Sequence, residues 1–245
     1  MWTAQQLADF ARDGYVVARE VVSVELRDNA LARIDALLAE RPPADGHTGH
    51  HFYFEPTADE PELTALLARS GALAWAGALT APRPITVPPD VQVALTFPPY
   101  SHRPGRGHLD GLPPTEPDGR PGTFTMLAGV VLSDQSREQM GNLIVWPGTH
   151  RACAELFRRK GSQALTANGA YPDIPHDNLT SVLASPGDVI FSSYLLSHNI
   201  GGNTSPVVRK TAYFRLKVDG HNATWRDYIR DELYEFDAVR RATDR

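Results

Sequence analysis

The first third of the chain carries apolar residues at helical spacing. Residues 3–12 open with a threonine, a residue type that caps helix N-termini, and continue with an apolar stripe. Residues 24–40 repeat the helical pattern until Pro42 and Pro43, which cannot continue a helix. Residues 60–79 predict one or two more helices. We expect all of these helices to support a sheet.

Short apolar or alternating runs, separated by Gly, Pro and Asp, dominate the rest of the chain. They predict strands over residues 15–22, 85–97, 124–132, 142–146, 179–183, 188–192, 194–198 and 209–218. Many short strands flanked by helices predict a mainly β fold, a jelly-roll barrel with helical support. We expect one domain over residues 1–245, with helical support over about 3–80, a jelly-roll core over about 85–219 and a C-terminal helix over about 224–239.

Composition narrows the classes of partner. The 245 residues carry a net charge of −5 without a sustained basic run, which argues against nucleic acid and favours a small-molecule substrate. Cys153 is the one cysteine, so no internal disulfide forms. The sequence opens without a leader-like pattern, and its apolar stretches fall short of the roughly 20 residues that a spanning helix needs. We therefore expect a cytoplasmic protein without a membrane segment.

The first candidate metal ligands are His108 and Asp110, which lie two residues apart after a strand-like run. In an extended segment such residues project to the same side, so an imidazole nitrogen and a carboxylate oxygen can aim at one point. A third ligand, His198, would complete a facial triad with open positions, the arrangement that suits non-heme Fe(II). Arg209, eleven residues beyond His198, can pair in two-pronged fashion with a carboxylate. A 2-oxoacid with a distal carboxylate fits that arrangement.

These residues, together with the stretch from Gly141 to His150, resemble the phytanoyl-CoA dioxygenase family of Fe(II)/2-oxoglutarate-dependent oxygenases. Residues 7–17 resemble the opening helix and strand of that family, and the resemblance extends over about residues 7–218. It implies a double-stranded β-helix of the cupin-like kind. It also implies Fe(II) held by His108, Asp110 and His198, with 2-oxoglutarate and O₂ as cosubstrates and Arg209 paired with the C5 carboxylate. Relatives often carry serine where this chain has Ile200, and that serine helps to bind the cosubstrate. Another residue must therefore assist Arg209 in this chain.

The remaining site predictions concern the walls of the pocket. Gln92 alternates with apolar neighbours, so it either binds the cosubstrate inside the barrel or faces solvent. Substrate contacts are predicted for Phe54, Tyr100 and Trp146. Two polar segments, 44–55 and 161–178, have the length and composition of lids. His47, His50 and His51 in the first of them suggest a metal cluster, but the absence of a carboxylate partner favours a mobile loop that enters a strand. The resemblance makes His150 structural.

The predicted activity is oxidation of an unactivated C–H bond of a small molecule, by hydroxylation or a related outcome, in bacterial natural-product tailoring. In halogenating relatives a small residue replaces the carboxylate, so Asp110 indicates a hydroxylase and not a halogenase. Two alternatives remain. One is an inactive binding protein of the same fold. The other is a zinc hydrolase with two His and one Asp ligand, which would leave Arg209 without a role.

Overall fold

The computed structural model describes residues 1–112 and 114–244. Its strands are β1 (Tyr15–Ala18), β2 (Gly49–Pro56), β3 (Ile85–Thr86), β4 (Asp90–Phe97), β5 (Met126–Val131), β6 (Leu143–Val145), β7 (Ala167–Ala170), β8 (Thr180–Ser181), β9 (Val189–Ser193), β10 (His198–Ile200) and β11 (Arg209–Val218). Its helices are α1 (Ala4–Asp13), α2 (Val24–Glu40), α3 (Pro61–Ala68), α4 (Ala72–Thr80), α5 (Thr149–Lys160), α6 (His221–Tyr228) and α7 (Asp237–Ala242), with a 3-10 helix at Ser162–Leu165.

Most of the strands form two antiparallel sheets. The larger sheet has the order β1-β9-β5-β11-β4-β2, with β3 also beside β11, and the smaller one has the order β10-β6-β8. In the described part of the chain the two sheets do not close into one barrel. The prediction of a mainly β fold with flanking helices is confirmed, although the barrel is open.

The larger sheet is organised around β11, which pairs with β5 on one side and β4 on the other. Apolar residues of β11 such as Ala212, Phe214 and Leu216 are fully buried, and each large buried side chain contributes about 1.5–3 kcal/mol. The alternate residues, including Arg209, Tyr213 and Arg215, share the opposite face of the strand. Strand β11 therefore anchors the core with one face and supplies polar side chains with the other.

The helices cover the sheet as expected from their apolar stripes. Thr3 caps α1 through a capping box with Gln6, and the ring of Phe10 packs 4.8 Å from that of Phe236 near the C-terminus. Ser23 caps α2, which packs against α3. The end of the chain thus returns to cover its beginning. No helix within residues 1–112 and 114–244 is both long and apolar enough to cross a membrane.

Three local predictions are wrong. Residues 194–197 form a turn, and the strand predicted there starts only at His198. The C-terminal helix predicted over about 224–239 is divided into α6 and α7. Between them Glu235 turns inward to accept a hydrogen bond from His221, and the carboxylate of Asp231 pairs with Arg240. These tertiary contacts override the helical spacing of Trp225, Ile229, Leu233 and Phe236, which are nevertheless all buried.

The third wrong prediction is the lid over residues 44–55. Gly49–Pro56 forms strand β2, which pairs with β4 along its whole length from Gly49 opposite Phe97 to Pro56 opposite Asp90. The sequence predicts a mobile loop that enters a strand here, and the structure extends that strand over Gly49–Pro56, so the lid prediction is wrong for this part of the segment. A strand held by a full ladder cannot open as a lid, so this part of the pocket wall is rigid.

Candidate metal centre

Two segments ninety residues apart in sequence meet at an isolated antiparallel bridge. The backbone N–H of His108 donates to the carbonyl of His198 at 2.9 Å, and the N–H of His198 donates back at 3.2 Å. Gly107 permits this approach, because a Cβ atom there would lie 2.8 Å from the backbone nitrogen of His198. On the other side, the N–H of Leu109 donates to the carbonyl of Ala170 at 2.8 Å. Backbone contacts therefore position the His108 segment from two directions.

Three predicted ligands converge at this bridge. Nε2 of His108 lies 3.3 Å from Oδ1 of Asp110, and Nε2 of His198 lies 3.5 Å from the same oxygen. One ligand atom from each side chain lies within 4.8 Å of the others. Metal–ligand bonds of about 2 Å place neighbouring ligand atoms roughly 3 Å apart, so two of the separations approach those of a bound metal. Two imidazoles and one carboxylate on one side of a site form a facial triad.

The protonation of the triad follows from its surroundings. Nδ1 of His198 lies 3.1 Å from the carbonyl oxygen of Leu196, which fixes the proton on Nδ1 and leaves Nε2 as the ligand atom. Burial raises the pKa of Asp110, but the charge of Arg215 and hydrogen bonds from the two histidines outweigh burial and hold this pKa well below its usual range. Asp110 is therefore a carboxylate near neutral pH.

The pKa values of the two histidines are shifted in opposite directions, although both side chains contact Asp110. Burial lowers the pKa of His108, and the hydrogen bond to Asp110 only partly offsets it. Burial also opposes the charged form of His198, but hydrogen bonds to Asp110 and Leu196 give it a raised pKa. A metal ligand must be a neutral imidazole, so a proton competes with the metal more strongly at His198 than at His108.

Arg215, on β11, is a residue of this site that the sequence did not reveal. Its Nη2 and Nε donate to Oδ2 of Asp110 at 2.6 and 3.1 Å, and Nη2 also donates to Oε1 of Gln92 at 2.7 Å. Oδ2 is therefore held by the guanidinium while Oδ1 faces the two imidazoles. The alternation of β11 placed Arg215 on the face of Arg209. Nothing in the sequence, however, paired it with a carboxylate 105 residues away.

A cavity of about 330 Å³ opens in front of the triad, between the two sheets. Gln92 and Tyr213 of the larger sheet and Ile200 of the smaller one form part of its wall. Gln92 thus faces this cavity, as the first of its two predicted orientations requires. A second cavity of about 670 Å³ shares Phe54 and Arg215 with the first. The side chains of Phe54 and Arg215 therefore lie between the two cavities.

The residues predicted to contact substrate lie at different places. Phe54 lines both cavities and is 59% exposed. The ring of Tyr100 packs edge-on against His50 at 5.0 Å, behind the cavity wall. Trp146 is fully buried, and its ring packs against His176 outside that wall. The structure therefore brings Phe54 to the site, places Tyr100 in support of the wall and keeps Trp146 in the core.

Arg209 is 1% exposed, and its guanidinium has donors to spare. Nη1 donates to the carbonyl of Ala94 at 3.1 Å and Nη2 to the hydroxyl of Tyr213 at 2.7 Å, while Nε has no partner among the described residues. No described carboxylate lies within ion-pair distance. Gly141 makes room for this side chain, because a Cβ there would lie 2.7 Å from Cβ of Arg209. A buried cation with spare donors can bind an anion.

Strand β2 places one member of the histidine cluster at the site. His50 lies opposite Thr96 of β4, and Thr96 lies opposite Arg209 of β11, so the three residues form a row across three strands. His50 lines the cavity, whereas His51 points to the other face of the strand and packs against Tyr53. Among the described residues, His108, Asp110 and His198 bring three potential ligand atoms together, and the histidines of β2 do not join such a group.

The segment 161–178 lies against the same cavity. Its 3-10 helix and β7 are followed by Tyr171, which lines the cavity and carries the guanidinium of Arg106 at 4.0 Å over its ring. Whether this segment opens and closes stays a prediction.

His150, at the start of α5, is fully buried and lies apart from the triad in sequence. Its Nε2 lies 3.3 Å from the carbonyl oxygen of Ala11, so this histidine connects α5 to α1.

No protein-family model matches the sequence, and neither does any curated protein. Similar solved structures include HygX from Streptomyces hygroscopicus with nickel and 2-oxoglutarate bound, at 19% identity, 88% coverage of this chain and 87% of HygX, with a TM-score of 0.59. The epimerase SnoN in complex with Fe³⁺, alpha ketoglutarate and nogalamycin RO is 17% identical, with 87% and 82% coverage and a TM-score of 0.65. EctD from S. alaskensis with bound Fe is 22% identical, with 88% and 76% coverage and a TM-score of 0.59. These similarities confirm the jelly-roll fold.

Proposed function

We propose that this protein is a non-heme Fe(II)- and 2-oxoglutarate-dependent oxygenase that acts on a small molecule. The observation that carries the proposal is the combination of the His108, Asp110 and His198 cluster with a buried Arg209 that lacks a carboxylate partner among the described residues. Similar solved structures hold iron or nickel together with 2-oxoglutarate. The motifs that resemble the phytanoyl-CoA dioxygenase family support the same activity.

The donor set fits Fe(II). Two neutral imidazoles and one carboxylate leave open positions on the metal, which a bidentate cosubstrate and O₂ require. The carbonyl of Leu196 orients His198, and Arg215 holds the oxygen of Asp110 that faces away from the imidazoles. Such outer contacts keep ligands oriented before the metal arrives. A zinc hydrolase would use the same three ligands, but its reaction would leave Arg209 without a role.

The anion site fits the distal carboxylate of 2-oxoglutarate. Arg209 retains an unpartnered Nε, and the Tyr213 hydroxyl lies 2.7 Å from Nη2 at the wall of the cavity. When bound, the metal and 2-oxoglutarate supply the oxidation of an unactivated C–H bond by O₂, with release of succinate and CO₂. The protein binds and orients the reactants, and apolar residues such as Ile200 and Leu127 limit water at the cavity wall.

The substrate proposal follows from the space beside the triad. The second cavity provides about 670 Å³ beyond Phe54 and Arg215, enough for a molecule larger than an amino acid. SnoN is an epimerase from nogalamycin biosynthesis. We propose that this chain also acts on a bacterial natural product and oxidises it, with hydroxylation as the simplest outcome. Because Asp110 supplies an anionic ligand, the proposal excludes halogenation, and a halogenated product in chloride or bromide buffer would contradict it.

The test combines metal binding with turnover. The purified protein is loaded anaerobically with Fe(II), and O₂ consumption and succinate release are measured with 2-oxoglutarate. Wild-type protein should bind one Fe(II) and release succinate. His198→Ala should lose both, whereas His47→Ala, which removes a histidine outside the triad, should retain them. Full activity in His198→Ala would overturn the ligand assignment. Binding of 2-oxoglutarate without O₂ consumption under any condition would favour an inactive binding protein.

A further inference from the structure

The row formed by His50, Thr96 and Arg209 crosses three adjacent strands on the face that carries the cavity. Nδ1 of His50 lies 3.5 Å from Oγ1 of Thr96, at the limit of a hydrogen bond. Tyr100 and His102 pack around the imidazole with ring centroids 5.0 and 6.2 Å away. These contacts restrict the ring, so His50 has a defined orientation next to the buried guanidinium.

The charges in this row are unbalanced. Arg209 is buried without an ion-pair partner among the described residues, and the cavity wall at His50 contains Phe52 and Tyr213 but no further carboxylate besides Asp110. Burial, followed by the positive charges of Arg209, His102 and His47, lowers the pKa of His50 to about 4. His50 is therefore neutral at physiological pH, and a neutral imidazole has one N–H that can donate a hydrogen bond without adding a second buried cation.

We propose that His50 is a specificity-determining residue that, together with Thr96, binds the distal carboxylate of the 2-oxoacid beside Arg209. This inference rests on the proposed function and adds a neutral donor from β2 to the cation from β11. The carboxylate has several lone-pair sites, and a single guanidinium that already donates to Ala94 and Tyr213 cannot fill them all. The ligand class is a dicarboxylic 2-oxoacid, and a monocarboxylate analogue without the distal group gains nothing from His50.

The experiment uses protein loaded with Ni(II), which does not turn over with O₂, and measures binding by calorimetry. The two probes are 2-oxoglutarate and oxalate, which chelates a metal but has no distal carboxylate. His50→Ala should weaken 2-oxoglutarate binding roughly ten- to hundredfold, the effect of one hydrogen bond to a charged group. Its affinity for oxalate and for Ni(II) should stay unchanged. His50→Asn should recover part of the loss because it keeps a neutral donor.

His51→Ala is the matched control, because His51 is the next residue of β2 and faces the opposite side of the strand. It should bind both probes like the wild type. If His50→Ala binds 2-oxoglutarate as tightly as the wild type, or loses oxalate affinity equally, the role of His50 is overturned while the oxygenase proposal stands. If the wild type itself binds Ni(II) but not 2-oxoglutarate, the proposed function fails and the role of His50 with it.

Discussion

Two histidine–carboxylate clusters in the described part of the chain differ in what surrounds them. In the first, His108, Asp110 and His198 direct ligand atoms towards a cavity, with side-chain exposures of 28%, 14% and 9%. In the second, His221 and Glu235 are 1% and 0% exposed. Both ring nitrogens of His221 have partners, Thr123 at 3.0 Å on Nε2 and Glu235 at 2.9 Å on Nδ1.

The difference shows that residue types alone do not define a metal site. In the second cluster Glu235 also accepts a hydrogen bond from Thr125, so the polar atoms that meet there satisfy one another inside the core. His198 instead directs Nδ1 to the carbonyl of Leu196, while its Nε2 lies beside Oδ1 of Asp110 at the cavity, together with Nε2 of His108. A histidine that directs one nitrogen to a carbonyl and the other to a cavity can bind a metal there. A histidine whose two nitrogens both have buried partners stabilises the fold.

The largest expected effect comes from breaking the second cluster. Glu235→Ala leaves His221 and Thr125 buried without their partner, so the free energy of unfolding should fall by about 3–5 kcal/mol. Urea denaturation measures the loss. Folded Glu235→Ala should bind Ni(II) as the wild type does. Glu155→Ala, which breaks an exposed pair with Arg158, is the control and should change stability little. A loss of metal affinity in Glu235→Ala would mean that the two clusters are coupled.

An intermediate effect is expected when the contact between Arg215 and Asp110 in the first cluster is removed. Arg215→Ala releases Oδ2 of Asp110, so the affinity for Ni(II) should fall roughly 10–100-fold, as for other residues that orient metal ligands. Arg215→Lys, which keeps the charge but loses the fork, should restore only part of it. Calorimetric titration with Ni(II) gives the values. Lys217→Ala removes the next cation on the same face of β11, paired with Glu116, and should leave the affinity intact.

The smallest expected effect concerns how the free energy of unfolding depends on pH through His50, which lines the cavity. The pKa of His50 is about 4 in the fold and about 6.5 in the unfolded chain, so between these values the unfolded chain binds a proton that the fold does not. The stability of the metal-free protein should therefore fall as the pH drops through this window. His50→Gln should flatten part of that slope in urea unfolding curves. Asp110, with its lowered pKa, loses its contribution only below about pH 3.9 and leaves the window unaffected. Identical slopes in both proteins would contradict the buried, neutral state of His50.

Much of the site was predictable because its signals are local. The His-x-Asp spacing places two ligands on one side of an extended segment, and the alternation of β11 places Arg209 on the face opposite the apolar core residues. The histidine-rich stretch shows the limit of such reasoning. His50 and His51 look alike in sequence, and only the pairing of β2 with β4 directs the first to the cavity and the second away from it.

By itself, therefore, the sequence determined the helices and strands with clear periodicity, the candidate ligands and the buried face of β11, since these depend on residues a few positions apart. The tertiary structure decided which distant side chains meet: Arg215 with Asp110, His50 with Thr96 and Arg209, and His221 with Glu235. It also divided the C-terminal helix so that Glu235 could reach its partner. Strand order and register depend on how the whole core packs, and that free energy is shared among residues far apart in the chain, where no local pattern records it.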